Sequence, residues 1–143
     1  MKTLPGIEDR DKRYLDLEVR RRWLLSSTEF ARRFPDLPQP FLTATYRDKA
    51  RQNFYYRTYK SQVKGGYSHH QYGLAFDIAF RKTRKGPAIF EKTLFQKFAG
   101  IAKFFELEWG GDWANYHDYG HFQAPISIYD IRKGKKPVWK KTV

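Results

Sequence analysis

A chain of 143 residues is long enough for one compact domain with a buried core, and 41% hydrophobic and 18% aromatic content excludes disorder throughout. The absence of cysteine excludes disulfides and thiolate ligands, so any transition metal must be held by histidine nitrogen and carboxylate oxygen. Lys and Arg outnumber Asp and Glu by 28 to 15; the net charge of +13 favours a polyanionic partner, whether nucleic acid, an anionic membrane face or a bacterial envelope polymer, without choosing among them.

From about Glu8 to Leu25, Tyr14, Leu17 and Leu24 recur near helical spacing among many charges, which predicts an amphipathic helix. Ser26 with Glu29 three residues on reads as a capping box that opens a second short helix, ended by Pro35. Beyond the turn-rich PDLPQP connector, Phe41 to Tyr46 is a candidate strand, and Arg47 to Val63 is helical in composition. The Lys64-Gly65-Gly66 break precedes Leu74 to Phe80, an alternating strand carrying one charge, Asp77. A basic loop follows, then a clear amphipathic helix from Phe90 to Phe105. Glu106 to Trp109 and His121 to Ala124 read as short strands around a Gly-Gly-Asp-Trp loop, and the last dozen residues as a Lys-rich tail. This order predicts a single α+β domain over 1–143, with helices on one face of a small antiparallel sheet, a basic helical segment at about 8–34 and a basic tail at about 132–143. No apolar run is long enough to span a bilayer.

All four histidines fall in two short clusters, His69-His70 and His117 with His121, each with an aspartate nearby. A catalytic zinc needs three protein ligands and one open position. The candidates on spacing alone are His69, His70, Asp77, Asp112, His117, Asp118 and His121. His70 and Asp77, seven apart, would face opposite sides of one straight strand, so they converge only if the chain turns between them, and Gly73 offers that turn. Asp118 and His121 stand three apart with Gly120 between, which suits a turn delivering both to one point. Asp77 sits among Ala75, Phe76, Ile78 and Ala79, where an unpaired carboxylate is costly and a cation would relieve it.

Residues 68–77 match S-x-H-x-x-G-x-A-x-D, and Trp109 to Trp113 followed by Asp118 to Phe122 match W-G-G-D-W and D-x-x-H-F. With these motifs the chain resembles the D-alanyl-D-alanine carboxypeptidase and L-alanyl-D-glutamate endopeptidase family of zinc peptidases, the LAS type, over roughly Thr45 to Gln123. The resemblance implies a LAS-type fold with a zinc cleft on the sheet, Zn2+ held by His70, Asp77 and His121, and Asp118 as general base. Tyr46-Arg47 and Gln52 resemble a Y-R-x-x-x-x-Q segment, which implies Arg47 at the scissile carbonyl. Aspartate at 118 is more like the endolysin branch that cuts between L-alanine and D-glutamate than like the members that cleave D-alanyl-D-alanine; Gly120 departs from that branch's usual proline. His69 and His117 are assigned to the surface or to supporting positions around the ligands.

The implied partner is bacterial peptidoglycan, with envelope polymers attracted by the basic surface and nucleic acid not expected; a monomer is expected. The N-terminal residues lack the uninterrupted apolar stretch of a secretory peptide. Synthesis in the cytoplasm and action on the wall after release are therefore expected, a setting that suits a phage-encoded enzyme. Other readings are a D-alanyl-D-alanine carboxypeptidase or dipeptidase, a non-catalytic zinc module of the same fold, and a nucleic-acid binder.

Overall fold

A computed structural model describes residues 4–143. In chain order the regular elements are α1 (Leu17–Arg33), β1 (Gln39–Ala44), α2 (Lys49–Arg57), β2 (Ala75–Arg81), α3 (Lys92–Phe104), β3 (Glu108–Trp109), β4 (His121–Gln123) and α4 (Ile128–Arg132). The four strands form one antiparallel sheet in the order β1-β2-β4-β3. This is the α+β architecture expected from the sequence.

The amino-terminal half of the expected first helix is not α-helical, and holds only a single 3-10 turn over Lys12–Tyr14. Its backbone has other partners: Asp9 N donates to Tyr46 O at 2.8 Å, Thr45 N donates to Asp9 O at 2.7 Å, and Glu8 bridges Arg47. Asp16 is the residue that starts α1, its carboxylate accepting from Glu18 N and Val19 N. The two expected helices are therefore one, and Ser26 lies in its interior, fully buried. Glu29 is drawn to Arg32 and Arg33 instead of back to Ser26, so no capping box forms. α1 ends at Phe34, where Pro35 disfavours helical geometry.

Val19, Trp23 and Phe30 on α1 meet Phe95, Phe98 and Ala102 on α3 above one face of the sheet. Phe76 of β2 and Phe122 of β4 stack below them, ring centroids 5.6 Å apart. Phe76 pairs with Phe122 and Asp77 with His121 in the β2–β4 register. Because side chains alternate along a strand, one register that sends the two phenylalanines into the core sends Asp77 and His121 together to the opposite face. β2 is buried on both faces, Ala75 and Ala79 having no exposure, so it is a covered central strand and not the half-buried one that alternation predicts.

β1 runs two residues earlier than expected. Its register with β2 shifts between Leu42 and Ala44, after which Thr45 and Tyr46 leave that ladder and pair with Asp9. α2 begins behind the Asp48 cap and stops at Arg57, well short of Val63. It stands beside the other face of the sheet from α1 and α3, where its Gln52 and Tyr55 are buried near Arg47.

The basic tail is in part docked. Lys140 N and Lys141 N donate to Glu106, Arg22 Nη2 donates to Lys141 O at 2.7 Å, and the Arg22 guanidinium lies 3.9 Å from the Trp139 ring centroid. Arg22 itself is fully buried. α4, unforeseen from sequence, is a single short helix capped by Ser127.

Candidate metal centre and active-site cleft

Ser68 caps a short turn over His69–Tyr72, its side chain accepting from His70 N while Gln71 reaches back to Ser68 N. Gly73 then reverses the chain at φ 69° and leads into β2. A Cβ at Gly73 would press on Tyr14 O and Asp16 N at 3.1 and 3.3 Å, so the left-handed conformation and the close approach both require glycine. This turn delivers His70 to Asp77, as the odd spacing demanded.

His70 Nε2 lies 3.3 Å from Asp77, and His121 Nδ1 lies 3.0 Å from Asp77 Oδ1. The one ligand atom from each residue lies within 4.8 Å of the others. The remaining nitrogens are committed elsewhere: His70 Nδ1 donates to Thr45 O at 2.8 Å, and His121 Nε2 donates to Gln123 Oε1 at 2.8 Å. In those tautomers the lone pairs of both rings converge on the same carboxylate. Two lone pairs against an anion repel unless a proton or a metal cation stands between them. Three donors on one tetrahedral zinc at about 2.0–2.2 Å would themselves be separated by about 3.3 Å, close to the 3.3 and 3.0 Å that separate Asp77 from the two histidines. The residues fit the ion in type, tautomer and spacing.

Burial by itself would raise the Asp77 carboxyl, but the charges and hydrogen bonds of His70 and His121 outweigh it and hold the group well below the usual carboxylate range. Burial likewise opposes protonation of His121, and the hydrogen bond and charge of Asp77 overcome it and raise the ring. Asp77 is thus held anionic, the state a metal ligand requires.

The turn before β4 brings Asp118 to the same cleft. Its N donates to Gly110 O at 3.1 Å, its O accepts from His121 N, and Ile78 N donates to Gly120 O at 2.9 Å, which pins the turn to β2 without a proline. Gly110 is packed so tightly against Asp118 that a side chain there would collide with its backbone. Burial, and then the charge of Asp77, raise the Asp118 carboxyl above its ordinary value.

Arg47 is largely covered, with its side chain 11% exposed. Its Nε donates to Glu8 at 2.6 Å, its Nη1 to Gln52 Oε1 at 2.8 Å, and its Nη2 lies 3.5 Å from Asp77 Oδ2. A solvated arginine, the plainest reading from composition, is ruled out by that enclosure. The cleft that holds these groups measures about 740 Å³, with Phe90, Trp113 and Tyr116 among its walls. The Trp113 ring centroid lies 5.0 Å from that of His121.

Of the sequence candidates, His70, Asp77, His121, Asp118 and Arg47 line one cleft. Asp112 instead pairs with Lys103 on the surface. His117 is exposed and stacks on Tyr119. His69 is not a surface residue: it is buried, bonds to Ile126 O at 2.6 Å, and is pushed down to about 4, chiefly by burial. Sequence reading missed Thr45, Gln123 and Glu8. Gln123 had a signal, two residues beyond His121 on a strand and hence on the same face; the other two act through main-chain geometry or a distant contact.

Residues 61–124 match the family model described as D-alanyl-D-alanine carboxypeptidase. That segment carries His70, Asp77, Asp118 and His121. The chain is 36% identical over 80 residues to the peptidoglycan L-alanyl-D-glutamate endopeptidase CwlK of Bacillus subtilis (strain 168), an alignment taking in 47% of this chain and 47% of that protein. The chain thus matches about half the length of this curated relative. The crystal structure of the L-Ala D-Glu endopeptidase ChiX of Serratia marcescens has the same fold, with a TM-score of 0.67, 23% identity, and coverage of 84% of this chain and 86% of that one.

Proposed function

We propose that the protein is a zinc-dependent peptidase of the peptidoglycan stem peptide that cuts between L-alanine and D-glutamate. The convergence of the free His70 and His121 lone pairs on Asp77, with Asp118 and Arg47 on the same cleft, carries this reading. The activities named for the two relatives support the choice of bond, as does aspartate at 118.

His70, Asp77 and His121 would hold the ion, and when bound it would supply Lewis acidity toward the scissile carbonyl and make a water acidic. Asp118, whose raised carboxyl is nearer the working range of a general base than a solvated aspartate, accepts the proton of the attacking water and passes it to the departing amine. Arg47, its Nη2 directed inward, takes up charge developing on the carbonyl oxygen. Thr45 and Gln123 fix the two histidine tautomers. Phe90, Trp113 and Tyr116 present apolar surface to the peptide and limit water in the cleft. A site used only for structure would have no need of Asp118 or of an open cleft.

The test is cleavage of a muropeptide containing L-alanyl-D-glutamate, followed by mass spectrometry, with the protein as purified, after chelation, and after zinc is restored. Activity should vanish and return with the metal, and His121→Ala should retain neither zinc nor activity. Zinc-loaded protein that leaves every stem-peptide bond intact would favour the non-catalytic module, and full activity in a demonstrably metal-free sample would remove zinc from the mechanism.

A further inference from the structure

Arg47 reaches the cleft with three guanidinium nitrogens, and the chain uses them unequally. Nη1 is taken by Gln52 Oε1 at 2.8 Å, and Gln52 is itself fixed by Ser61 Oγ and Val63 O. Nε is taken by Glu8 Oε2 at 2.6 Å, while Glu8 Oε1 accepts from Tyr55 OH at 2.9 Å. Nη2 remains, and it is the nitrogen turned to Asp77. A planar fork held at two of its nitrogens has little freedom left for the third.

Glu8 lies outside the matched residues 61–124, on a segment laid along the start of α2. Its backbone is pinned on both sides: Asp48 N donates to Ile7 O at 3.0 Å, and Asp9 and Thr45–Tyr46 exchange bonds at 2.7 and 2.8 Å. The Glu8 side chain is 17% exposed. A carboxylate so enclosed is neither a solvated charge nor a loose surface partner, and its two oxygens are occupied by one guanidinium and one phenol.

We propose that Glu8 is a positioning residue, contributed by the N-terminal segment, whose carboxylate fixes the Arg47 guanidinium so that Nη2 alone is presented to the substrate carbonyl. The proposal rests on the peptidase reading above for its kinetic consequence, and on geometry alone for the state of Arg47. Loss of Glu8 leaves Arg47 inside the cleft with a free Nε and a rotating fork, and misplacement of a catalytic group by about 1 Å can reduce a rate about 100-fold.

The experiment is a double-mutant cycle of Glu8→Leu with Arg47→Lys, read by kcat, KM and zinc content. Glu8→Leu should lower kcat about 10- to 100-fold with KM and bound zinc little changed, Glu8→Asp should recover part of the loss, and Glu8→Leu should add almost nothing once Arg47 is Lys. Equal losses in both backgrounds, or a loss that tracks zinc content, would overturn the proposal in favour of a purely structural role. A readout without turnover is the Arg47 Nε–H resonance in nitrogen-15 spectra of the full chain. It should be protected from exchange in the parent and in Tyr55→Phe, and lose that protection in Glu8→Leu, which has no acceptor; equal protection in all three would also overturn the assignment. If the parent cleaves no peptide while this resonance behaves as expected, the peptidase reading fails and the anchoring of Arg47 stands.

Discussion

Asp118 and Asp77 are two aspartates in one cleft with opposite proton affinities. Asp77 is held low by two histidines against the effect of burial, whereas Asp118 is raised by burial and by the charge of Asp77 itself. In the proposed mechanism, a pair pushed apart in this way would separate a ligand from a base. Asp118→Asn is nearly isosteric and removes none of the three metal-site donors, so zinc content should stay at one per chain. Turnover should fall about 100- to 10,000-fold, the usual worth of a general base. Metal analysis beside muropeptide cleavage checks this, and a zinc-loaded Asn variant at parental rate would take Asp118 out of the chemistry.

Two elements carry side chains whose effects reach beyond their own positions. Ser26 lies inside α1 with no exposure, and its hydroxyl has no hydrogen-bond partner among the described residues. A buried unmatched hydroxyl is destabilising, and Ala is the better helix former, so Ser26→Ala should stabilise the fold by about 1 kcal/mol. Urea titration at constant m-value measures it; a lower midpoint would mean that Ser26 has a partner of its own. The turn before β2 makes a pH prediction. His69 is lowered from 6.5 to about 4, mainly by burial, so the unfolded chain takes up its proton at a higher pH than the folded one. That contribution is fully present above about pH 6.5 and is lost as pH falls toward 4, amounting to about 3 kcal/mol for a shift of this size. His69→Gln keeps a donor for Ile126 O without titrating. The stability gap between chelated parent and variant should therefore shift against the parent between pH 7 and 4, and a constant gap would show that His69 is not the group responsible.

Over the whole molecule, charge does two separate jobs. Most of the +13 is on the surface, where attraction to envelope polymers would be screened by salt. Arg22 and the end of the tail are different, because Trp139, Lys140 and Lys141 close over a buried guanidinium and over Glu106. The tail expected from sequence as a basic segment is therefore also part of the packed fold. Deleting residues 139–143 leaves Arg22 short of a partner and of its aromatic cover, which should destabilise the fold by about 2–4 kcal/mol as well as weaken wall binding. Thermal unfolding of the truncated chain against the parent tests it, and an unchanged midpoint would return the tail to a purely electrostatic role.

The sequence by itself determined the α+β class, the long helix near Phe90–Phe105 and two short His/Asp clusters holding seven candidates; the choice of His70, Asp77, Asp118 and His121 among them came from the resemblance of the motifs. These depend on local periodicity, on glycine at a reversing turn, and on short spacings that a chain can satisfy without distant help. Gly73 shows why: His70 and Asp77 can converge only if the chain turns between them, and a glycine in that interval permits the turn. Only the tertiary structure decided that Asp77 and His121 face each other, since that follows from a β2–β4 register between residues far apart in the chain. It also merged two expected helices into one, because Ser26 was drawn into the core by the packing of α1 on α3, and no local pattern reports that packing. Thr45, whose carbonyl fixes His70, and Glu8, whose carboxylate fixes Arg47, were illegible for the same reason: each acts across a distance in sequence that periodicity does not span.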